Sequence, residues 1–212
     1  MKKVLFLFVF GFSLSVQAQG VWESPTESSS TSAKAAKTAS KSELRDAKYL
    51  AGTVPEENGE VVWRKVIEAP GRSAQQLYDT MLNELNKLTQ ADNQLEGSKV
   101  ALVNKAENKI AASVKEWMVF QSTALSLDRA RFNCVIQVHC QDGRVNVELG
   151  RIRYVYETTR RKEETLKAEE WITDKYALNK KGTKLYRISG KFRRKTVDRV
   201  AEIFQTFENA LR

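Results

Sequence analysis

One pair of segments limits the possible folds more than any other feature of this chain. From Arg129 to Gln141 and from Val145 to Glu157, apolar and polar side chains alternate, with Asp142-Gly143 between the two runs. Alternation over that length is the signature of a strand with one buried face. Asp-Gly between two such runs is a strong hairpin signal. The second run changes phase: Val145, Val147 and Leu149 share one parity, whereas Ile152, Tyr154 and Tyr156 share the other. Gly150 stands at the switch, where a bulge would bend the strand and return all six side chains to one face. A sheet with one apolar face must then be covered by another layer.

The flanking elements supply that layer. Glu60 to Glu68 (EVVWRKVIE) reads as a strand ended by Pro70-Gly71. Ser73 caps a helix, with Gln76 completing a capping box. Leu77, Met81, Leu82, Leu85 and Leu88 recur along that helix at steps of three and four, as one apolar stripe. Lys99 to Asn104 and Ile110 to Phe120 read as two further strands. A final helix is expected from a Thr196 cap, with Val197, Val200, Ala201, Ile203, Phe204, Phe207 and Leu211 facing the sheet. The fold class is α+β, in the order β-α-β(4)-α: an antiparallel sheet packed by a long C-terminal helix.

The chain begins like a secreted one. Lys2 and Lys3 precede an apolar run from Val4 to Val16, and Val16-Gln17-Ala18 has the form of a signal-peptidase site, so maturation is expected to leave Gln19 first. The run is too short to span a bilayer, which takes about 20 residues. The expected layout is a signal peptide at 1–18, a flexible Ser/Thr/Ala/Lys-rich linker at 19–58, and one domain at 59–212. That domain carries a basic insertion at about 158–195, in which Glu163 to Trp171 reads as a short helix. The expected location is periplasmic or extracellular, with no transmembrane segment in the mature chain.

Cys134 and Cys140 are the only cysteines. Six residues of strand span about 20 Å, whereas a disulfide needs Cα atoms within about 7 Å. Both are therefore expected to be reduced and buried on the Phe132 face. His139, the sole histidine, points to the other face, so the three cannot converge on a metal ion.

Two segments carry a resemblance: the strand-to-helix junction Val66 to Tyr78, and Ile172-Thr173-Asp174-Lys175-Tyr176-Ala177-Leu178 followed by Gly190-Lys191-Phe192-Arg193-Arg194-Lys195-Thr196. On these the chain resembles a family of exported bacterial proteins classed as a domain of unknown function with a TATA-binding-protein-like fold. The resemblance implies a curved antiparallel sheet gripping a long C-terminal helix. It implies no activity, ligand or catalytic residue.

Function is less legible. The chain carries a formal net charge of +9, and between Asp174 and Arg199 ten basic residues face two acidic ones. Trp171, Lys184, Tyr186, Arg187, Lys191, Arg193, Arg194 and Lys195 form the candidate surface for an anionic envelope component or protein. The plain alternative is a solvated basic loop whose aromatics pack on the sheet. Nucleic acid would suit the same chemistry, but export argues against it. A different reading is a carrier whose sheet and last helix enclose a small apolar ligand lined by Phe132, Ile136, Tyr154, Phe204 and Phe207. No phosphate loop, serine elbow or metal-spaced set is visible, so neither a cofactor nor an enzyme is expected. Glu116 is the exception to the pattern, because it falls on the apolar Ile110–Val114–Met118 face: either it is a single carboxylate buried against the helix layer, or local twist or an edge position takes it off that face.

Overall fold

The computed structural model of the protein describes residues 46–123, 126–159 and 162–212. The strands are β1 (Glu56–Glu57), β2 (Glu60–Val61), β3 (Trp63–Glu68), β4 (Lys99–Asn104), β5 (Lys109–Ser122), β6 (Leu127–Gln141), β7 (Arg144–Thr159) and β8 (Lys162–Lys167). The helices are α1 (Ala74–Thr89), α2 (Asp174–Ala177) and α3 (Arg187–Leu211).

The hairpin expected around Asp142-Gly143 is β6–β7, with Gln141 paired to Arg144. It forms the middle of an antiparallel sheet ordered β3-β7-β6-β5-β4. The switch at Gly150 is a bulge: Val135 pairs with Gly150 and Asn133 with Arg153, so two residues of β7 oppose Cys134 alone. Arg151 takes up the distortion with φ +53°. Glycine at 150 gives room for a close approach: a Cβ there would lie 3.2 Å from Val62 Cγ2, a tight contact. The bend also divides the partners of β7, its first half pairing with β3 and its second with β8.

One face of the sheet carries the core. Ile110, Ala112 and Val114 from β5, Phe132, Cys134 and Ile136 from β6, and Leu149, Ile152 and Tyr154 from β7 all point to the helix layer and are buried. The α1 helix starts with the expected capping box between Ser73 and Gln76, and the Asp142 carboxylate adds a bond to Ala74 N–H at 2.7 Å. Leu77, Met81 and Leu85 are fully buried beneath it. Each such side chain contributes about 1.5–3 kcal/mol. Both cysteines are buried and free, and burial pushes the Cys140 thiol up to about 12.

Several sequence expectations are corrected. The last helix begins at Arg187, nine residues before Thr196. Thr196 is no cap: it is buried inside α3, its hydroxyl 2.7 Å from the Tyr154 hydroxyl. Ala201, placed on the apolar stripe, is exposed. The segment read as a helix from Glu163 to Trp171 is strand β8 followed by a 3-10 turn at Ala168–Glu170.

Residues 46–58, expected to end the linker with a helical turn within Glu43 to Leu50 and a turn at Glu56 to Gly59, keep both turns but are held on the domain. A 3-10 turn at Ala47–Tyr49 lies against α3, and β1–β2 is a small hairpin. Of the two alternatives for Glu116, the buried one holds, and the side chain is neither twisted away nor on an edge. It is 3% exposed under the helix layer, where Arg199 donates to both its oxygens at 2.7 and 2.8 Å and Gln94 donates at 2.7 Å. The strand therefore stays regular, and α3 brings the cation that a buried carboxylate requires.

Candidate functional site

The basic insertion is a folded connection from β8 to α3. Ala168 and Ile172 enter the main core, whereas Leu178 and Leu185 pack with Tyr49 in a small second cluster. Leu178 and Leu185 also bridge, closing a turn over residues 179–184. The Asn179 side-chain oxygen accepts from the Thr183 and Lys184 N–H groups at 2.9 and 3.2 Å. Gly182 supplies the positive φ of 67° that the turn needs, with Ala51 packed against it.

The candidate surface divides when its residues are placed. Arg193 is fully buried. Its guanidinium donates to the carbonyls of Tyr49 (2.6 Å), Leu50 (2.6 Å) and Ile172 (2.7 Å), and to the Asp174 carboxylate (2.6 Å). Arg194 makes a forked pair with Asp46 at 2.7 and 2.6 Å. That hydrogen bonding holds the Asp46 carboxyl below its ordinary value, against the opposing effect of burial. Lys191 donates to Asp128 at 2.6 Å and to the Tyr156 hydroxyl at 2.9 Å. Trp171 is half-buried and edge-on to Phe192, ring centres 5.9 Å apart. Its indole N–H has no acceptor among the described residues. These four residues hold the fold together.

Lys184, Tyr186, Arg187 and Lys195 are exposed. Around the first three lie residues outside the candidate surface: Lys175, Lys180 and Lys181, with Tyr176 and Ile188. Tyr176, Tyr186 and Ile188 are 40%, 48% and 57% exposed, high values for large apolar side chains. Tyr186 N–H donates to the Ala177 carbonyl at 2.8 Å and the Ser189 hydroxyl to that of Tyr176 at 3.0 Å, so α2, the turn and the start of α3 form one end of the domain. None of Lys175, Lys180, Lys181, Lys184 and Arg187 makes an ion pair among the described residues.

The proposed cavity wall lies in the core. Phe132, Ile136 and Tyr154 are fully buried, Phe207 is 1% and Phe204 7% exposed, and the Phe132 and Tyr154 rings sit 6.0 Å apart. Burial also pushes the Tyr154 hydroxyl far above its usual range.

Sequence reasoning passed over the open face of the sheet. Lys115, Asn133, Arg153 and Lys167 are direct cross-strand neighbours on β5, β6, β7 and β8. Arg129 stacks on Trp117 at 3.7 Å in the same region. Shallow clefts of about 670 and 610 Å3 meet at Asn133. The charge here is largely balanced: Arg131 pairs with Glu163 at 2.5 Å, Lys167 lies 3.7 Å from Glu170, and Glu60, Glu96 and Glu169 stand at the rim. The signal that could have found this row is the parity opposite the core residues on each strand. Among the described residues, no group of three or more His, Cys, Asp or Glu is placed to hold a metal ion. Nor is any helix among them long and apolar enough to cross a membrane.

Residues 63–155 match the family model described as a domain of unknown function (DUF4468) with TBP-like fold. A solved DUF4468 family protein from Bacteroides ovatus is 45% identical, with a TM-score of 0.72, the match covering 78% of this chain and 94% of that one. A solved TBP-like protein from Parabacteroides distasonis shares the fold at 22% identity and TM-score 0.60, over 74% of this chain and 96% of that one. No curated protein matches the chain. With the predicted topology in place and a 45% identical relative matched over nearly its whole length, the chain belongs to the DUF4468 family, domains of unknown function with a TBP-like fold.

Proposed function

We propose that the protein is an exported, non-enzymatic binding module that holds an anionic partner against the basic end of its domain, residues 175–188. The observation that carries this reading is the division of the basic stretch. Lys191, Arg193, Arg194 and Arg199 are tied to Asp128, Asp174, Asp46 and Glu116, whereas the five cations from Lys175 to Arg187 point outward without an acidic partner among the described residues. A cluster of one sign raises the local concentration and encounter rate of an oppositely charged partner. The export half of the reading rests on the leader at residues 1–18.

The test uses the mature protein and immobilised dextran sulfate. Intact mass should place the first residue at Gln19; a chain retaining Met1 to Ala18 would overturn export. Each cation is worth about 1 kcal/mol beside an anionic surface. The triple variant K180A/K181A/K184A should therefore bind about a hundredfold more weakly. Affinity that survives this change, or that ignores added salt, would sink the reading.

A further inference from the structure

We propose that the anionic partner is a lipid surface, with Tyr176, Tyr186 and Ile188 seated at the interface and the cations of the same end engaging acidic head groups; this inference rests on the anion-binding reading above. A soluble polyanion would need only the charges. This end offers a second kind of surface as well, since three of the large exposed hydrophobic side chains of the domain occur within residues 176–188. Scattered exposed apolar residues need no explanation, but a group of them rimmed by polar ones marks an interaction site. Tyrosine, apolar in its ring and polar at its tip, favours the membrane–water boundary. Lysine and arginine beside that boundary are drawn to acidic lipids. A single weak signal gives marginal, reversible membrane binding, so stable association takes two. Here both are carried by one folded end, tied together by the Tyr186-to-Ala177 and Ser189-to-Tyr176 hydrogen bonds.

The experiment compares three probes with the mature chain: vesicles of phosphatidylcholine, vesicles of phosphatidylcholine with phosphatidylglycerol, and soluble dextran sulfate. Sedimentation should recover the protein with the acidic vesicles and leave it in solution with the neutral ones. Tyr186 makes no side-chain capping bond to α3 and Ile188 is mostly exposed, so replacing them leaves the fold intact. The double variant Tyr186→Ser/Ile188→Ser should weaken vesicle binding about tenfold and leave dextran sulfate binding unchanged. K180A/K181A/K184A should weaken both. Dextran sulfate binding without vesicle binding would overturn the lipid inference and leave the anion reading standing. Vesicle binding indifferent to Tyr186→Ser/Ile188→Ser would do the same. Failure to bind either acidic probe would overturn both.

Discussion

Two halves of one basic stretch have opposite fates. From Lys175 to Arg187 the cations point outward and none is ion-paired among the described residues; from Lys191 to Arg199 all but Lys195 are drawn into the domain. Both halves read alike in sequence. The difference lies in what the rest of the chain presents to them. Residues 46–50 offer two carbonyls and the Asp46 carboxylate to the second half, β5 offers Glu116, and the start of β6 offers Asp128. Among the described residues, no comparable acid is set against the first half. A run of positive charge therefore says little about a surface until its internal partners are known, since an arginine with buried acceptors is a structural part.

The largest expected effect breaks this contrast at Arg193. Alanine there would leave the Tyr49 and Ile172 carbonyls without their donor, leave the Leu50 carbonyl with the Thr53 N–H alone, and open a void under α3. Removing one side of a buried charged network costs about 3–5 kcal/mol, or roughly 10 °C in Tm for a domain of this size. Lysine should recover little, because a single ammonium cannot reproduce the spread of the guanidinium. The matching control is Lys184→Ala, which should change stability by no more than about 0.5 kcal/mol. Thermal unfolding of the three variants decides; comparable losses at Arg193 and Lys184 would erase the distinction.

A somewhat smaller effect is expected at Glu116, whose side chain is 4% exposed against 19% for Arg199. Glu116→Ala leaves the Arg199 guanidinium with only the mostly exposed Glu202, 2.9 Å away, and leaves two amide donors without their acceptor, at a cost of about 3 kcal/mol. The double replacement Glu116→Met/Arg199→Met removes both charges and keeps the volume, so it should regain most of that loss. Urea unfolding of the single and double variants measures the recovery. If the double variant is no better than the single, the pair contributes more than mutual neutralisation.

How far the sequence could lead depends on whether each signal is local. Asp142-Gly143, the parity switch at Gly150 and the Ser73–Gln76 box all act within a few residues, and each appears in the structure where the pattern placed it. Strand β8 was hidden because KEETLK has one apolar residue and helix-forming composition, and its pairing with β7 overrides that propensity. The first turns of α3 were hidden because the face they bury is Ser189, Gly190, Phe192, Arg193 and Thr196, which has no apolar stripe. Of the ordered segment before β1, the sequence showed a helical turn within Glu43 to Leu50 but not its docking, since the bonds from Arg193 and Arg194 that pin it span 143 to 148 residues of sequence. Of the candidate surface, charge and aromatic content were legible, but the sorting of its residues into spent and free was not. Ile188 carried no signal, because a lone apolar residue in a charged segment reads as buried.

The smallest expected effect sharpens the comparison at its boundary, where Arg194 and Asp46 are only partly buried. Hydrogen bonds from Arg194 hold the Asp46 carboxyl below its ordinary value. A carboxylate depressed in the folded state stabilises it fully above its unfolded value of about 3.9, and that stability fades as pH falls through the lower folded value. The contact between residues 46–50 and α3 should therefore be unchanged from neutral pH down to about 4 and loosen only below it. Partial exposure limits the contribution to about 0.5–1 kcal/mol. Amide chemical shifts of Ala47 to Leu50, followed through an acid titration, should show this step in the native protein and lose it in Asp46→Asn. The Arg193 bonds to the Tyr49 and Leu50 carbonyls need no carboxylate, so the segment should loosen without leaving the domain. A titration step that persists in Asp46→Asn would assign the acid sensitivity to another group and leave the Arg194 fork as a contact of little energetic weight.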